Sequence, residues 1–151
     1  MEDKIKFDET DRSILKLLKE NSRMSYQEMS RHTGISDATI QHRLKRMKEH
    51  GALRFTILPD PDATGYEITS VMLVQTDTEK HDGAKAALAG LPEITEVYSV
   101  LGEYDLFIKV WARNLEELNE FINEKIRAID GIEEMLEIVV VEKVKEEGPP
   151  V

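Results

Sequence analysis

Between Ser36 and Arg54 the chain concentrates side chains that can bond to the edges of nucleic-acid bases. Gln41 can bond bidentately to adenine, His42 can donate or accept a hydrogen bond, and Lys45 can reach guanine or phosphate. A small residue at position 38 allows close approach, and nearby arginines can hold the phosphates. The candidate DNA-binding residues are Ser36, Asp37, Ala38, Thr39, Gln41, His42, Arg43, Lys45, Arg46 and Arg54.

Two capped helices around a glycine turn are predicted to position these side chains. Ser25 and Glu28 have the spacing of a capping box, so a short helix should begin there and run to about residue 32. Gly34 suits a tight turn, Ser36 can cap a second helix, and Gly51 can end it. This layout is typical of a helix-turn-helix DNA-binding motif.

The second helix is predicted to be amphipathic. Ile40, Leu44 and Met47 recur at i, i+4 and i+7, so one narrow face is apolar and the opposite face presents the candidate DNA-binding side chains. A basic helix can also be merely a solvated surface. The two caps and the glycine turn favour the DNA-reading interpretation.

The charge of the chain is divided unevenly. Its net charge is −10, but residues 1–60 carry 12 Lys and Arg against 10 Asp and Glu, whereas residues 61–151 carry 8 against 20. Phosphate would repel the acidic half, so the first half should face DNA. This asymmetry predicts two domains. With the segment Pro59–Tyr66 as the linker, they are a helix-turn-helix domain over 1–58 and a second domain over 67–151, separated by residues 59–66.

The first domain should also contain a third helix and a strand. Asp8 can cap a helix to about Glu20, and Leu53–Leu58 alternates enough for a strand in a winged-helix-like arrangement. Two prolines should stiffen the linker PDPDATGY. The predicted core of this domain is Ile14, Leu18, Tyr26, Met29, Ile35, Ile40, Leu44 and Met47.

The second domain is predicted to be a ferredoxin-like βαββαβ unit, which makes the chain an α+β protein. Its strands are expected at about 68–76, 94–101, 106–112 and 135–144, and its helices at about 81–91 and 115–129. Two crossovers of this kind give an antiparallel sheet with both helices on one face. Phe107 and Trp111 alternate with Leu106 and Ile108, so the second face is apolar as well and should bind a partner subunit.

Most of the chain resembles the Lrp/AsnC, or feast/famine, family of transcriptional regulators. The resemblance is carried by DETDRSILKLLKENSR, MSYQEMSRHTGISDATIQHRLKRMKEHGALR, DATGY and LPEITEVYSVLGEYDLFIKV. It implies a homo-oligomer, a dimer that assembles further to an octamer, bound to double-stranded DNA. It also implies an amino-acid effector held between dimers.

In that family the turn between the second and third strands borders the effector pocket. The resemblance therefore assigns the effector to Gly102, Glu103, Tyr104 and Asp105, with Met135 and Glu137 at the start of the last strand. Glu137 would add negative charge beside Asp105, which predicts a basic rather than an acidic ligand. From the residues alone, Gly102–Asp105 can equally be a plain hairpin turn.

Other classes of function find little support in the sequence. The four histidines, at positions 32, 42, 50 and 81, lack metal-ligand spacing, and we expect no enzyme activity, metal or cofactor. The absence of cysteine and of long apolar runs predicts a cytoplasmic protein without a membrane partner. The alternatives are a sirohaem-type tetrapyrrole decarboxylase, related to the same family, and an effector sensor that does not bind DNA.

Overall fold

The computed structural model describes residues 5–151 and divides them into two compact units. The first comprises residues 5–58 with 147–151, and the second comprises residues 59–146. No helix in the described part of the chain is long and apolar enough to cross a lipid bilayer.

Three helices build the first unit: α1 (Glu9–Glu20), α2 (Tyr26–Thr33) and α3 (Asp37–Glu49). The capping box predicted at the start of α2 is confirmed, because the side chains of Ser25 and Glu28 bond each other's backbone N–H groups. Gly34 ends this helix in the left-handed conformation at φ 72°. The three predicted helices therefore begin and end within about two residues of their predicted bounds.

The first unit is held together by apolar side chains from all three helices. Its buried core comprises Ile14, Leu18, Met29, Ile40 and Leu44, with Leu17, Met24, Ile35 and Leu53 packed against it; Leu15 and Met47 are also buried. Tyr26, predicted to belong to this core, is 42% exposed. It is the first residue of α2, where the helix enters from a surface turn.

The strand predicted over Leu53–Leu58 is wrong. These residues have no regular secondary structure, and Ile57 and Leu58 are more than 80% exposed. A strand needs a neighbouring strand to bond its N–H and C=O groups. The strands of residues 5–151 all lie between Ile68 and Val139 and pair among themselves.

The predicted linker contains a helical turn, α4 (Pro61–Thr64). Asp60 accepts a hydrogen bond from the Asp62 N–H at 2.9 Å, and Pro61 occupies the first helical position, where its missing N–H costs nothing. Gly65 ends the turn at φ 78°. The sequence PDPDATG is therefore a capped helical turn rather than an extended spacer.

The second unit is a four-stranded antiparallel sheet in the order β2-β3-β1-β4, which confirms the ferredoxin-like prediction. Two helices cover one face of the sheet. The elements are β1 (Ile68–Thr76), α5 (His81–Ala89), β2 (Ile94–Ser99), β3 (Leu106–Ala112), α6 (Leu115–Phe121) and β4 (Ile132–Val139).

Two elements of the second unit differ from their predicted form. The helix predicted over 115–129 is α-helical only to Phe121 and continues as a π-helical turn over Ile122–Ile126, where the Arg127 N–H donates to the Ile122 carbonyl. The last strand ends at Val139, not at residue 144. Its partner β1 begins at Ile68, so the later residues have little strand left to pair with.

The two sheet faces have different surroundings. The face toward the helices carries the buried core, including Met72, Val74, Leu106, Ile108 and Val110. We call the opposite side the open sheet face; its apolar residues are half-buried or exposed. They are Val71, Leu73, Tyr98, Phe107, Trp111, Leu136 and Ile138.

Candidate DNA-binding surface and effector turn

The outer face of α3 presents the predicted base-reading side chains to solvent. Ala38, Gln41, His42 and Lys45 are exposed, while Ile40, Leu44 and Met47 on the other face are buried. Lys45 keeps 70% of its side chain exposed even though its Nζ lies 3.7 Å from Glu49. Helical periodicity thus separates a packing face from a face free to contact a ligand.

The start of α3 is fixed by its own cap. The Ser36 hydroxyl accepts a hydrogen bond from the Thr39 N–H at 3.3 Å and donates one to the Thr39 hydroxyl at 2.8 Å. Asp37 and the two capping residues are exposed. The Ser36 hydroxyl is therefore already bonded within the protein, whereas the Thr39 hydroxyl can still donate its hydrogen to a ligand.

Arg43 and Arg46, predicted to contact phosphates, form ion pairs within the protein. Arg43 Nη1 donates to both oxygens of Asp8, at 2.7 and 2.8 Å, and to Asp11 Oδ1 at 2.9 Å. Arg46 Nη2 donates to Asp11 Oδ2 at 2.9 Å. Both arginines are half-buried, so the exposed Lys and Arg side chains of α3 are those of Lys45 and Lys48.

A groove of about 740 Å³ lies between α3, the start of α2 and the segment that joins α1 to α2. Gln41, Lys45 and Lys48 line one wall, and Tyr26 and Phe55 contribute exposed rings. The Lys48 ammonium lies 5.9 Å from the centroid of the Phe55 ring, a distance suited to a cation–π contact. Arg54, next to this ring, is exposed as expected of a phosphate contact.

In the second unit, the predicted effector turn is tied to the end of β1. The Thr76 N–H donates to Asp105 Oδ2 at 2.8 Å, and the Thr76 hydroxyl lies 3.3 Å from the same oxygen. The Gln75 side chain donates to the Glu103 carbonyl at 2.8 Å. Asp105 is thus partly committed to holding the turn, while Gly102 and Glu103 are exposed and Tyr104 is half-buried.

Glu137 does not lie beside this turn within the chain. Met135 pairs with Val74, but Glu137 pairs with Met72, four residues along β1 from Thr76. At the usual rise of a strand that separation is about 13 Å. The prediction that Glu137 adds negative charge beside Asp105 is therefore wrong for a single chain, because β4 begins three residues earlier than expected.

Sequence reasoning missed two sets of residues that shape these sites. Gln75 and Thr76 fasten the effector turn, and Asp11 joins α1 to α3. Asp8 was recognisable as a helix cap, but its bond to Arg43 spans 35 residues and follows no local spacing. The Arg43 guanidinium beside Asp8 holds the pKa of that carboxyl below its ordinary value.

Family models match both units. A model described as the AsnC-type helix-turn-helix domain matches residues 7–48, and one described as the Lrp/AsnC ligand binding domain matches residues 68–150. The HTH-type transcriptional regulator FL11 of Pyrococcus horikoshii is 35% identical over 144 residues, which cover 95% of each chain. An uncharacterised HTH-type regulator of Pyrococcus abyssi is 40% identical over 130 residues, covering 85% of this chain and 82% of its own.

Solved structures agree in fold. AsnC of E. coli superposes with a TM-score of 0.90 at 30% identity, covering 97% of this chain and 100% of its own. A transcriptional regulator of Neisseria meningitidis, solved as a complex with L-methionine, superposes with a TM-score of 0.86 at 20% identity, covering 93% and 94%. Because both its helix-turn-helix domain and its ligand-binding domain match, the chain belongs to the Lrp/AsnC family of transcriptional regulators.

Proposed function

We propose that this regulator recognises a specific DNA sequence through Gln41, His42 and Lys45. The observation that carries the proposal is their exposure on one face of α3 while the opposite face is fully occupied by the core. A helix of this diameter fits the major groove, where an amide, an imidazole and an ammonium can distinguish base edges. Arg54 and Lys48 would add contacts to the phosphates.

The test begins with site selection from random duplexes by the purified protein. Gln41→Ala and His42→Ala should each cost about 1–3 kcal/mol at the selected site and relax the base preference there. Affinity is measured on the selected site and on a random duplex of the same length. Asn119→Ala, which removes an exposed amide from α6, should bind like the wild type. Equal losses on both duplexes would exclude the two residues from base reading.

We further propose that the second unit mediates self-association, first to a dimer and then to an octamer. The support is the open sheet face, on which Tyr98, Leu136 and Ile138 are 44–53% exposed and form part of one apolar surface. Such a surface is stabilised when a second copy removes it from water. A two-fold dimer would also give the DNA-binding units the symmetry that a palindromic operator requires.

The third part of the proposal is an amino-acid effector at the Gly102–Asp105 turn, between dimers. Exposed backbone at Gly102 can approach a carboxylate, and the Glu103 side chain can hold an α-ammonium group. Of the two carboxylate oxygens of Asp105, only Oδ2 accepts hydrogen bonds from the described residues, so Oδ1 is available to a ligand. The Neisseria regulator in complex with L-methionine has the same fold.

A thermal-shift screen with each of the twenty amino acids tests this assignment. A ligand that binds only the folded protein stabilises it by about 2.7 kcal/mol at a hundredfold excess over its Kd. Glu103→Gln should weaken the response, because it removes a charge without removing a contact that holds the turn. Glu103 and Asp105 together should disfavour acidic ligands. A preference for aspartate or glutamate, or no response to any amino acid, would contradict the proposal.

A further inference from the structure

A buried carboxylate joins α1 to α3. Asp11 is 0% exposed, and it lies in the first turn of α1. Its Oδ1 accepts a hydrogen bond from Arg43 at 2.9 Å, and its Oδ2 accepts one from Arg46 at 2.9 Å and one from the Asp8 N–H at 3.1 Å. A single side chain therefore bonds two positions of the DNA-reading helix.

Asp8 completes the arrangement. Its carboxylate binds Arg43 through both oxygens and accepts the Asp11 N–H at 2.8 Å, so it caps α1 and neutralises an arginine of α3 together. Two carboxylates and two guanidinium groups leave no net charge. We call Asp8, Asp11, Arg43 and Arg46 the Asp11 cluster.

The Asp11 cluster fixes α3 in a way that its apolar stripe does not. Arg43 and Arg46 are three residues apart, so they project from the same side of the helix. Anchoring both to α1 defines the rotation of α3 about its axis, whereas an apolar contact tolerates small rotations. Rotation decides which side chains reach the bases, and base contacts depend on their directions.

The same hydrogen bonds also reduce the positive charge that Arg43 and Arg46 can present to DNA phosphates. Arg43 exposes 23% of its side chain and Arg46 39%, against 70% for Lys45 on the outer face. Contacts to phosphate raise affinity for every sequence equally, so two free arginines would strengthen non-specific binding. A buried ion cluster is also a poor source of stability, since apolar residues of similar volume stabilise as well or better.

We propose that Asp11 is a positioning residue for base recognition, which orients α3 through Arg43 and Arg46 and keeps both arginines from the phosphates. This inference rests on the proposed reading of DNA by the outer face of α3. It predicts that the protein binds random DNA more weakly, and discriminates better between sequences, than it would if Arg43 and Arg46 were free.

The test compares the full-length wild type with Asp11→Asn. Asparagine keeps an oxygen that can accept the Asp8 N–H but no longer balances a guanidinium group. Affinity is measured on the duplex enriched by site selection with the wild type and on a random duplex, over a series of salt concentrations. The ratio of the two affinities should fall about tenfold, the equivalent of one lost base contact. The salt slope on random DNA should steepen by about one, because a released arginine meets a phosphate.

Two further variants control the experiment. Glu9→Gln removes one negative charge from the same turn of α1, and Glu9 makes no ion pair with the residues that the structure describes; it should keep both the ratio and the slope. Asp8→Asn releases Arg43 from one partner only and leaves Asp11 in place. It should shift both quantities in the same direction by less, and it carries the test if Asp11→Asn does not fold.

The outcomes separate the two proposals. If site selection with the wild type enriches no sequence, both the proposed base recognition by α3 and the proposed role of Asp11 are wrong. A wild type that selects a sequence, with an affinity ratio and salt slope unchanged in folded Asp11→Asn and Asp8→Asn, overturns the positioning role alone. A purely structural Asp11 would lower thermal stability without steepening the salt slope.

Discussion

Glu28 shows how one carboxylate can make a helix start sensitive to pH. It accepts hydrogen bonds from the Ser25 N–H and from the Ser25 hydroxyl, both at 2.8 Å. These bonds favour the charged form, so they lower the pKa of Glu28 from its ordinary value of 4.5. A group with a lowered folded pKa stabilises the protein fully above its unfolded value and loses that contribution as the pH falls through the folded value.

We expect Glu28→Gln to remove this pH dependence. The free energy of unfolding of the wild type should exceed that of the variant by a constant amount above about pH 5, and the excess should shrink as the pH falls below about 4. Urea unfolding of both proteins between pH 3 and pH 7 measures the excess. An excess that stays constant over the whole range would contradict the role given to the Ser25 hydrogen bonds.

Single residues also show where prediction from the sequence stops. Exposure of Gln41 and His42 follows from the helical period alone, since Ile40 and Leu44 must face the core. The sequence also shows that Arg43 is charged, but it does not show which carboxylates bind it. Arg43 lies 32 and 35 residues from the carboxylates that bind it, and such pairings depend on how helices pack.

The turn between α2 and α3 depends on a glycine for its conformation, not for space. Gly34 has a φ of +72°, and a Cβ added there would meet nothing within 4 Å. Gly83, inside α5, has equally open surroundings but an ordinary φ. Because an added Cβ would be uncrowded at both glycines, comparing them isolates the free-energy cost of the left-handed backbone.

Alanine at these two positions should have opposite effects. Gly34→Ala should destabilise the protein by about 1–2 kcal/mol, because a Cβ disfavours the left-handed region. Gly83→Ala should stabilise it by about 0.5–1 kcal/mol, because alanine loses less backbone freedom in a helix. Urea unfolding at neutral pH measures both. Equal effects of the two substitutions would contradict the assignment of Gly34 to a strained turn.

Helices whose ends depend on local hydrogen bonds could be predicted from the sequence. Strands whose ends depend on distant partners could not. The caps of α1 and α2 use side chains three residues apart, so their sequence spacing located both helices. The end of β4 at Val139 is decided instead by where its partner β1 begins, at Ile68. The same reasoning explains Leu53–Leu58, which alternates like a strand but has no strand beside it in the described chain.

For the molecule as a whole, the two halves differ in charge and in what they expose. The half from residue 61 onward carries a net charge of −12, and it contains the open sheet face, whose apolar residues are half-buried or exposed. Lys109 lies on this face, 5.2 Å from the Trp111 ring, and is paired with Glu96 and Glu146. The face is therefore mainly apolar and its lysine is paired, which suits contact with an identical copy.

Leu73→Glu should disrupt self-association. Leu73 lies on the open sheet face between Phe107 and Leu136, so a carboxylate there would be buried without a partner in any dimer that uses this face. Light scattering should report a lower mass than for the wild type. Leu115→Glu, at a 54% exposed position on α6, should leave the mass unchanged. Wild-type mass in Leu73→Glu would place the contact elsewhere.

Strand β4 lies at an edge of the sheet, and its composition bears on aggregation. An edge strand leaves a row of N–H and C=O groups open, which is a template for the stacking of identical chains. Within its eight residues, β4 carries Glu133, Glu134 and Glu137, all exposed. Stacked copies would bring these like charges within about 5 Å of one another, the spacing between strands. We therefore expect the acidic edge to disfavour fibril growth by single chains whose apolar sheet face is still in water.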